Sequence, residues 1–412
     1  MRLTGPVAGA VAMQAFSLVV LVGPGAASAG VVPGADGAAC LEVTASTTGV
    51  RTVSGDNVAS RALHVEEAQA LVRAAGTEPG AGVRVVVVVD TPVDGFRAGT
   101  PSGLASGHGF AVAGIVAGPD QTEPGPVPVG IAPAARVEGA PFYETLERPV
   151  PGERAPTSAD LAAALGRLAD RRGPGGDLAG RVVVVVPAQV PYSAELATEV
   201  GRLAASGVLV VAAAGDRPRQ DGDFPDGFQG TPRPGEDVAG LVWPAAHPGV
   251  VAVGAASPGS RGSVLRSSAI DLAAPGSGAV TTALNGGWCV VDGVSTAWAA
   301  AQVAGVAALV WSAHPGDDAA RLRARLEQTA SGNGSGSSLV TGFGVVQPVE
   351  AIQRDIAAMD ADRAARVQPA QPPRPRADLL AGARRDALWW GLGGGSALAV
   401  LLMLRPLLSR RR

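Results

Sequence analysis

The stretch Gly293-Val-Ser-Thr-Ala-Trp-Ala-Ala-Ala-Gln-Val-Ala-Gly-Val-Ala-Ala-Leu309 decides how this chain is read. It carries no charge and is built almost entirely from small apolar residues, the composition of a helix packed deep in a core. Its polar start reads as the place where such a helix carries a nucleophilic serine, because free amides at a helix N-terminus can receive a developing oxyanion. The serine it contains, Ser295, stands two residues earlier than that role requires.

Working outward, the runs Val83 to Val89, Arg181 to Val186, Val208 to Ala213 and Val250 to Val253 are short, continuous and β-branched. Such runs suit strands buried on both faces of a parallel sheet. Between them, Ser158 to Arg172 and Ser193 to Ala205 have helical spacing of Leu, Ala and Val, with charges opposite. Alternating strands and helices predict an α/β fold, a doubly wound parallel sheet with helices on both faces. Ligand chemistry in such sheets gathers at the C-terminal ends of the strands. Gly118 to Pro128 and Arg217 to Pro234, rich in Gly, Pro and Asp, read as surface loops.

Two further segments place chemistry at those strand ends. Val85-Val-Val-Val-Val-Asp90-Thr91-Pro92 is a buried strand ending in an acid. Gly107-His108-Gly109-Phe110-Ala111-Val112-Ala113-Gly114 sets a histidine between glycines at the start of a small-residue helix. Acid, histidine and candidate serine, in this order, are the parts of a charge-assisted nucleophile. The carboxylate orients the imidazole, and the imidazole takes the serine proton.

Together these segments resemble the subtilisin-like serine proteases, over roughly Val83 to Ala351. Asp90-Thr91-Pro92 is similar to the family's Asp-Thr-Gly. His108-Gly109-Phe110-Ala111-Val112-Ala113-Gly114 is similar to its His-Gly-Thr-x-Val-Ala-Gly. Val211-Ala-Ala-Ala-Gly-Asp216 and Ile270-Asp-Leu-Ala-Ala-Pro-Gly276 resemble two weaker family marks. Residues 1–29, which read as a signal peptide, the Pro-rich linker at Pro369 to Pro375 and the apolar run Ala387 to Leu404, which reads as a membrane span, narrow the resemblance to the mycosins, membrane-anchored subtilases associated with type VII secretion. The resemblance implies a subtilisin-like sheet with Asp90 and His108 as catalytic residues.

The serine block departs from the pattern. The family reads Gly-Thr-Ser-x-Ala-Ala-Pro-x-Val-Ala-Gly. Aligned without a gap from Val303-Ala304-Gly305, its nucleophile falls on Ala297 and its proline on Ala301. Using Ser295 instead needs two extra residues before Val303, which turn a helix by about 200°. The family's oxyanion asparagine falls on Asp216, whose ionised carboxylate would repel an oxyanion. Loss of that donor costs about 10²–10³ in turnover and loss of the nucleophile about 10⁶; both figures come from subtilisin itself. Phe110 replaces a threonine, and Val186-Pro187-Ala188-Gln189 replaces the substrate strand's Ser-Leu-Gly. Pro187 has no N–H to offer an extended peptide. Two readings follow: a pseudoprotease acting as scaffold or peptide-binding module, which the ungapped alignment favours, and an active serine endopeptidase using Asp90, His108 and Ser295.

The ends and the composition bound the rest. Residues 1–29 have one early charge, Arg2, an apolar stretch, and Ala27-Ser28-Ala29 as a cleavage site, the pattern of a signal peptide. Residues 30–82 form an arm with a short helix, 83–356 the body, and 357–386 a Pro/Arg-rich linker. Ala387 to Leu404 is uncharged and, at about 18 residues, just long enough to cross a bilayer. Trp389 and Trp390 open it and a basic tail (405–412) follows, which predicts a single-pass protein with its body outside and its C-terminus cytoplasmic. Outside the cytoplasm the two cysteines, Cys40 and Cys289, are expected to pair. A net charge of −3 over 412 residues, with no long basic run in the body, argues against nucleic acid as partner. The expected partners are the membrane and a type VII secretion complex, or secreted peptide substrates. No metal or cofactor site is indicated: His64, His247 and His314 lack ligand-like company.

Overall fold

The computed structural model describes residues 35–49, 51–97, 106–145, 153–220, 223–332, 337–356 and 381–408. The expected signal peptide, the linker up to residue 380 and the last four residues lie outside them. Chain contacts separate two compact units, Met1–Met359 and Asp360–Arg412.

In the first unit, the arm forms a short 3-10 turn at Cys40–Glu42, then α1 (Val58–Ala62) and α2 (Val65–Ala74). There follow β1 (Val83–Val87), α3 (His108–Ala117), β2 (Arg136–Gly139), α4 (Ser158–Arg172), β3 (Arg181–Val186), α5 (Ala194–Ala205), β4 (Leu209–Ala213) and β5 (Val250–Ala255). The remainder is α6 (Ser260–Ser263), β6 (Leu272–Ala274), β7 (Val280–Thr282), β8 (Trp288–Val290), α7 (Thr296–Ala313), α8 (Ala319–Thr329) and α9 (Pro348–Gln353). Six strands make one parallel sheet in the order β2-β1-β3-β4-β5-β6, and β7 and β8 form a separate antiparallel pair.

The valine runs work because successive side chains point to opposite faces. Val85, Val87, Val183, Val185, Val211 and Val253 enter one core with α2, α3 and α7. Val86, Val184, Val186, Val210 and Ala252 enter the other with α4 and α5. Both faces are covered, which is why these strands are continuous in β-branched residues rather than alternating.

Helix α7 has seventeen buried residues, from Thr296 to Ser312. It passes the length and hydropathy test for a membrane span, yet 94% of that window is buried inside the body. Helix α3 packs close to β7 because of Gly114: a Cβ there would fall 2.2 Å from Thr281 Oγ1 and 2.4 Å from Thr282 Oγ1.

Strand β2 is not legible from a valine run. It is an edge strand, Arg-Val-Glu-Gly, in which Arg136 is exposed and the half-buried Glu138 pairs with Arg171 at 3.0 Å. The two expected surface loops are mostly exposed or half-exposed, but each turns a polar side chain inward. Gln121 is fully buried, its carboxamide bonded to both backbone groups of Val53 at 2.8 Å. Arg217 is buried against Glu236 and donates to the Phe228 carbonyl at 2.9 Å. Polar residues folded inward on specific partners look, in sequence, like polar residues facing water.

The second unit contains α10 (Ala381–Leu408). Its Arg384–Arg405 segment has a mean hydropathy of 1.7 and is long and apolar enough to cross a membrane.

Candidate active-site cleft

At the C-terminal ends of β1, β3 and β4 lies a cleft of about 1350 Å³. His108, Gln189, Asp216, Ser295, Ala297 and Trp298 line it. Cys40 and Leu41, from the arm, form part of its rim. Cys40 is disulfide-bonded to Cys289, and Ala39 pairs with Val290 of β8, so the arm is tied to the segment leading into α7.

Asp90, just beyond β1, is buried. Its Oδ1 accepts from the Gly109 amide at 2.9 Å, and its Oδ2 has no hydrogen-bond partner among the described residues. Gly109 must be glycine: a Cβ would approach Asp90 Oδ1 and Val89 to 2.9 Å. His108 opens α3 and is buried as well. The resemblance implies that Asp90 orients the imidazole; among the described residues no hydrogen bond joins the two. His108 Nδ1 lies 2.9 Å from the Tyr143 hydroxyl, while the carboxylate holds the start of α3. The reason is topological: Tyr143 arrives on the segment after β2, the edge strand that the sequence conceals.

Burial pushes the His108 pKa down, and the Asp90 charge opposes this only in part. Burial, reinforced by Asp90, raises the Tyr143 phenol well above its ordinary value. The Trp298 ring meets the imidazole edge-on, centroids 4.8 Å apart.

Ser295 is not in helix α7 but caps it. Its backbone is extended, and Oγ accepts from the Ala297 amide at 3.0 Å, the ordinary work of an N-cap serine. The hydroxyl itself donates to Asp216 Oδ2 at 2.5 Å. Asp216 Oδ1 accepts from the Thr296 amide at 2.7 Å and the Thr296 hydroxyl at 2.8 Å. The carboxylate at the family's oxyanion position thus sits on the N-terminus of α7, where an anion is favoured. Burial raises the Asp216 pKa, while the bonds from Ser295 and Thr296 oppose the rise. Ala297 lies inside the first helical turn and is buried. Among the described residues no hydrogen bond joins His108 to Ser295.

Two cleft residues, Trp298 and Gln189, and Tyr143 buried behind His108 were not singled out as site residues from sequence. Tyr143 carries no local motif. Trp298 is hidden in a helix of small residues. Gln189 had been noted only as part of an altered substrate strand, yet its carboxamide reaches across the cleft to Asp216. The assembly brings an imidazole, a capped serine and an anion-filled helix N-terminus to one cleft, but it does not connect them as a proton relay.

The comparisons agree with this architecture. Subtilisin of Bacillus pumilus is 33% identical over 163 residues, 39% of this chain and 52% of that protein. The chain thus matches about half, or less, of the length of its curated relatives. The structure of the MycP3 protease from the type VII (ESX-3) secretion system is 27% identical, with a TM-score of 0.53, covering 78% of this chain and 94% of that one. A chain in the periplasmic assembly of the ESX-5 inner membrane complex shares the fold at 22% identity and a TM-score of 0.56, covering 84% and 92%. The model of the subtilase family matches residues 97–344, beginning after Asp90. On that match, which takes in more than half of the sequence, the chain belongs to the subtilase family.

Proposed function

We propose that this protein is a mycosin-like subtilase that has lost proteolysis and serves a type VII secretion apparatus as a membrane-anchored scaffold or peptide-binding module. The observation that carries the loss of proteolysis is the engagement of Ser295. Its hydroxyl is bonded to Asp216 and its lone pair to the Ala297 amide, while His108 is bonded to Tyr143. A general base must lie within hydrogen-bond reach of the proton it removes. Here the acceptor at the serine is an aspartate that also closes the helix N-terminus.

The association with secretion is supported by likeness to the MycP3 protease of the ESX-3 system. Anchoring is supported by the apolar segment Arg384–Arg405. With an N-terminal signal peptide, the body lies outside the membrane and the basic tail inside.

The test is reaction of the detergent-solubilised full chain with a fluorophosphonate probe. No covalent labelling is expected. Labelling that disappears in Ser295→Ala would return the protein to the active endopeptidases.

A further inference from the structure

Gln189 follows β3 on one wall of the cleft, and Gly215 and Asp216 follow β4 on the other. The Gln189 carboxamide joins them. Nε2 donates to the carbonyls of Asp216 at 3.1 Å and Phe224 at 2.9 Å, and Oε1 accepts from the Asp216 amide at 2.6 Å. The neighbouring backbone groups face away: the Gly215 carbonyl takes the Leu265 amide, and the Arg217 amide donates to Ser263. The N–H and C=O of Asp216 are therefore the pair this wall presents to the cleft, and a side-chain amide already satisfies both.

Behind the plug the space is filled too. A Cβ on Gly215 would lie 2.9 Å from Leu265 and 3.1 Å from Val242. Both belong to an apolar cluster with Val238, against which Phe224 and Phe228 pack.

We infer that Gln189 is a specificity-determining plug: it closes the side-chain pocket between the Ala188 and Asp216 walls, so the cleft accepts extended peptides only with a small residue, glycine, alanine or serine, at that point. This rests on the peptide-binding reading above. A large side chain must displace the carboxamide and leave the Asp216 and Phe224 groups unpaired, and a buried polar group left without its partner is strongly discriminated against.

Binding of fluorescein-labelled Ala-Ala-Pro-Ala and Ala-Ala-Pro-Phe to the full chain in detergent, followed by fluorescence anisotropy, tests the plug. The wild-type protein is expected to bind the alanine peptide at least about tenfold more tightly. Gln189→Gly and Gln189→Ala, each checked for an unchanged melting profile, should abolish that preference by strengthening binding of the phenylalanine peptide. Equal wild-type affinity for the two peptides, or a preference that survives both substitutions, overturns the plug and leaves peptide binding standing. Failure of both peptides to bind wild type and both variants overturns the peptide-binding reading, and the plug with it.

Discussion

Ser295 donates its hydroxyl hydrogen to Asp216 at 2.5 Å, and the same carboxylate takes the first amide of helix α7 through Thr296. If Asp216 occupies the oxyanion-donor position, as the resemblance implies, this joins two positions that catalysis would keep apart. The bond turns both into parts of a helix cap.

If that cap is structural, removing it should cost stability. Asp216→Ala strands the Thr296 amide and the Ser295 hydroxyl, and hydrogen bonds to charged groups are worth about 1.5–3 kcal/mol. A loss in that range is expected from denaturant melts, and a wild-type melting curve would exclude the capping role.

Restoring the family residues separates frame from nucleophile. Ala297→Ser should allow slow fluorophosphonate labelling, because the substitution sets a hydroxyl at the ungapped nucleophile position. Adding Asp216→Asn replaces an acceptor by a donor at the oxyanion position, and such a donor is worth about 10²–10³ in rate. Faster labelling of the double variant is the expected outcome; no labelling of either would show that the Tyr143 and Trp298 contacts keep His108 out of service.

The buried pair Arg217–Glu236 fastens the loop from Arg217 to Pro234. Removing one partner of such a pair costs about 3–5 kcal/mol, because the other charge is left buried and alone. Arg217→Met is expected to lower stability by that order in urea denaturation, with little change if Glu236 is made Gln as well.

The same pair sets a pH dependence of known sign. Burial pushes the Glu236 carboxyl up, but the bond and charge of Arg217 together with backbone hydrogen bonds at Arg233 and Arg266 outweigh it and hold the carboxyl below its ordinary value. Its contribution is therefore present above the unfolded carboxylate pKa and is lost as pH falls through the folded one. His108 adds a second window. Its pKa is depressed by burial, so the unfolded chain binds the extra proton first and stability declines as pH drops below about 6.5. Melting temperatures across pH 3 to 8 for wild type and His108→Gln should differ in slope between about pH 5 and 7. Parallel curves there would mean that His108 is not buried as a neutral imidazole.

The C-terminal segment gives a simple fractionation test. The full chain is expected in the membrane fraction, and a chain ending at Ile356 in the soluble fraction. Membrane recovery of the shortened chain would move the attachment to the body.

Periodicity alone determined the layered sheet of this protein. The valine runs named β1, β3, β4 and β5, and Ser158 to Arg172 named α4, because burial on two faces leaves a continuous apolar signature and burial on one leaves a helical one. The ungapped register, counted back from Val303, put Ala297 rather than Ser295 at the expected nucleophile position, while the N-cap role of Ser295 came from the structure. Partner choice was decided only by the tertiary structure. Whether Asp90 meets His108 or Gly109, whether His108 meets a serine or Tyr143, and where the Gln189 amide goes depend on side chains that the β1, β2, β3 and β4 strand ends bring together from distant parts of the chain. Hydrogen bonds are short-ranged and directional, and they leave no period in the sequence.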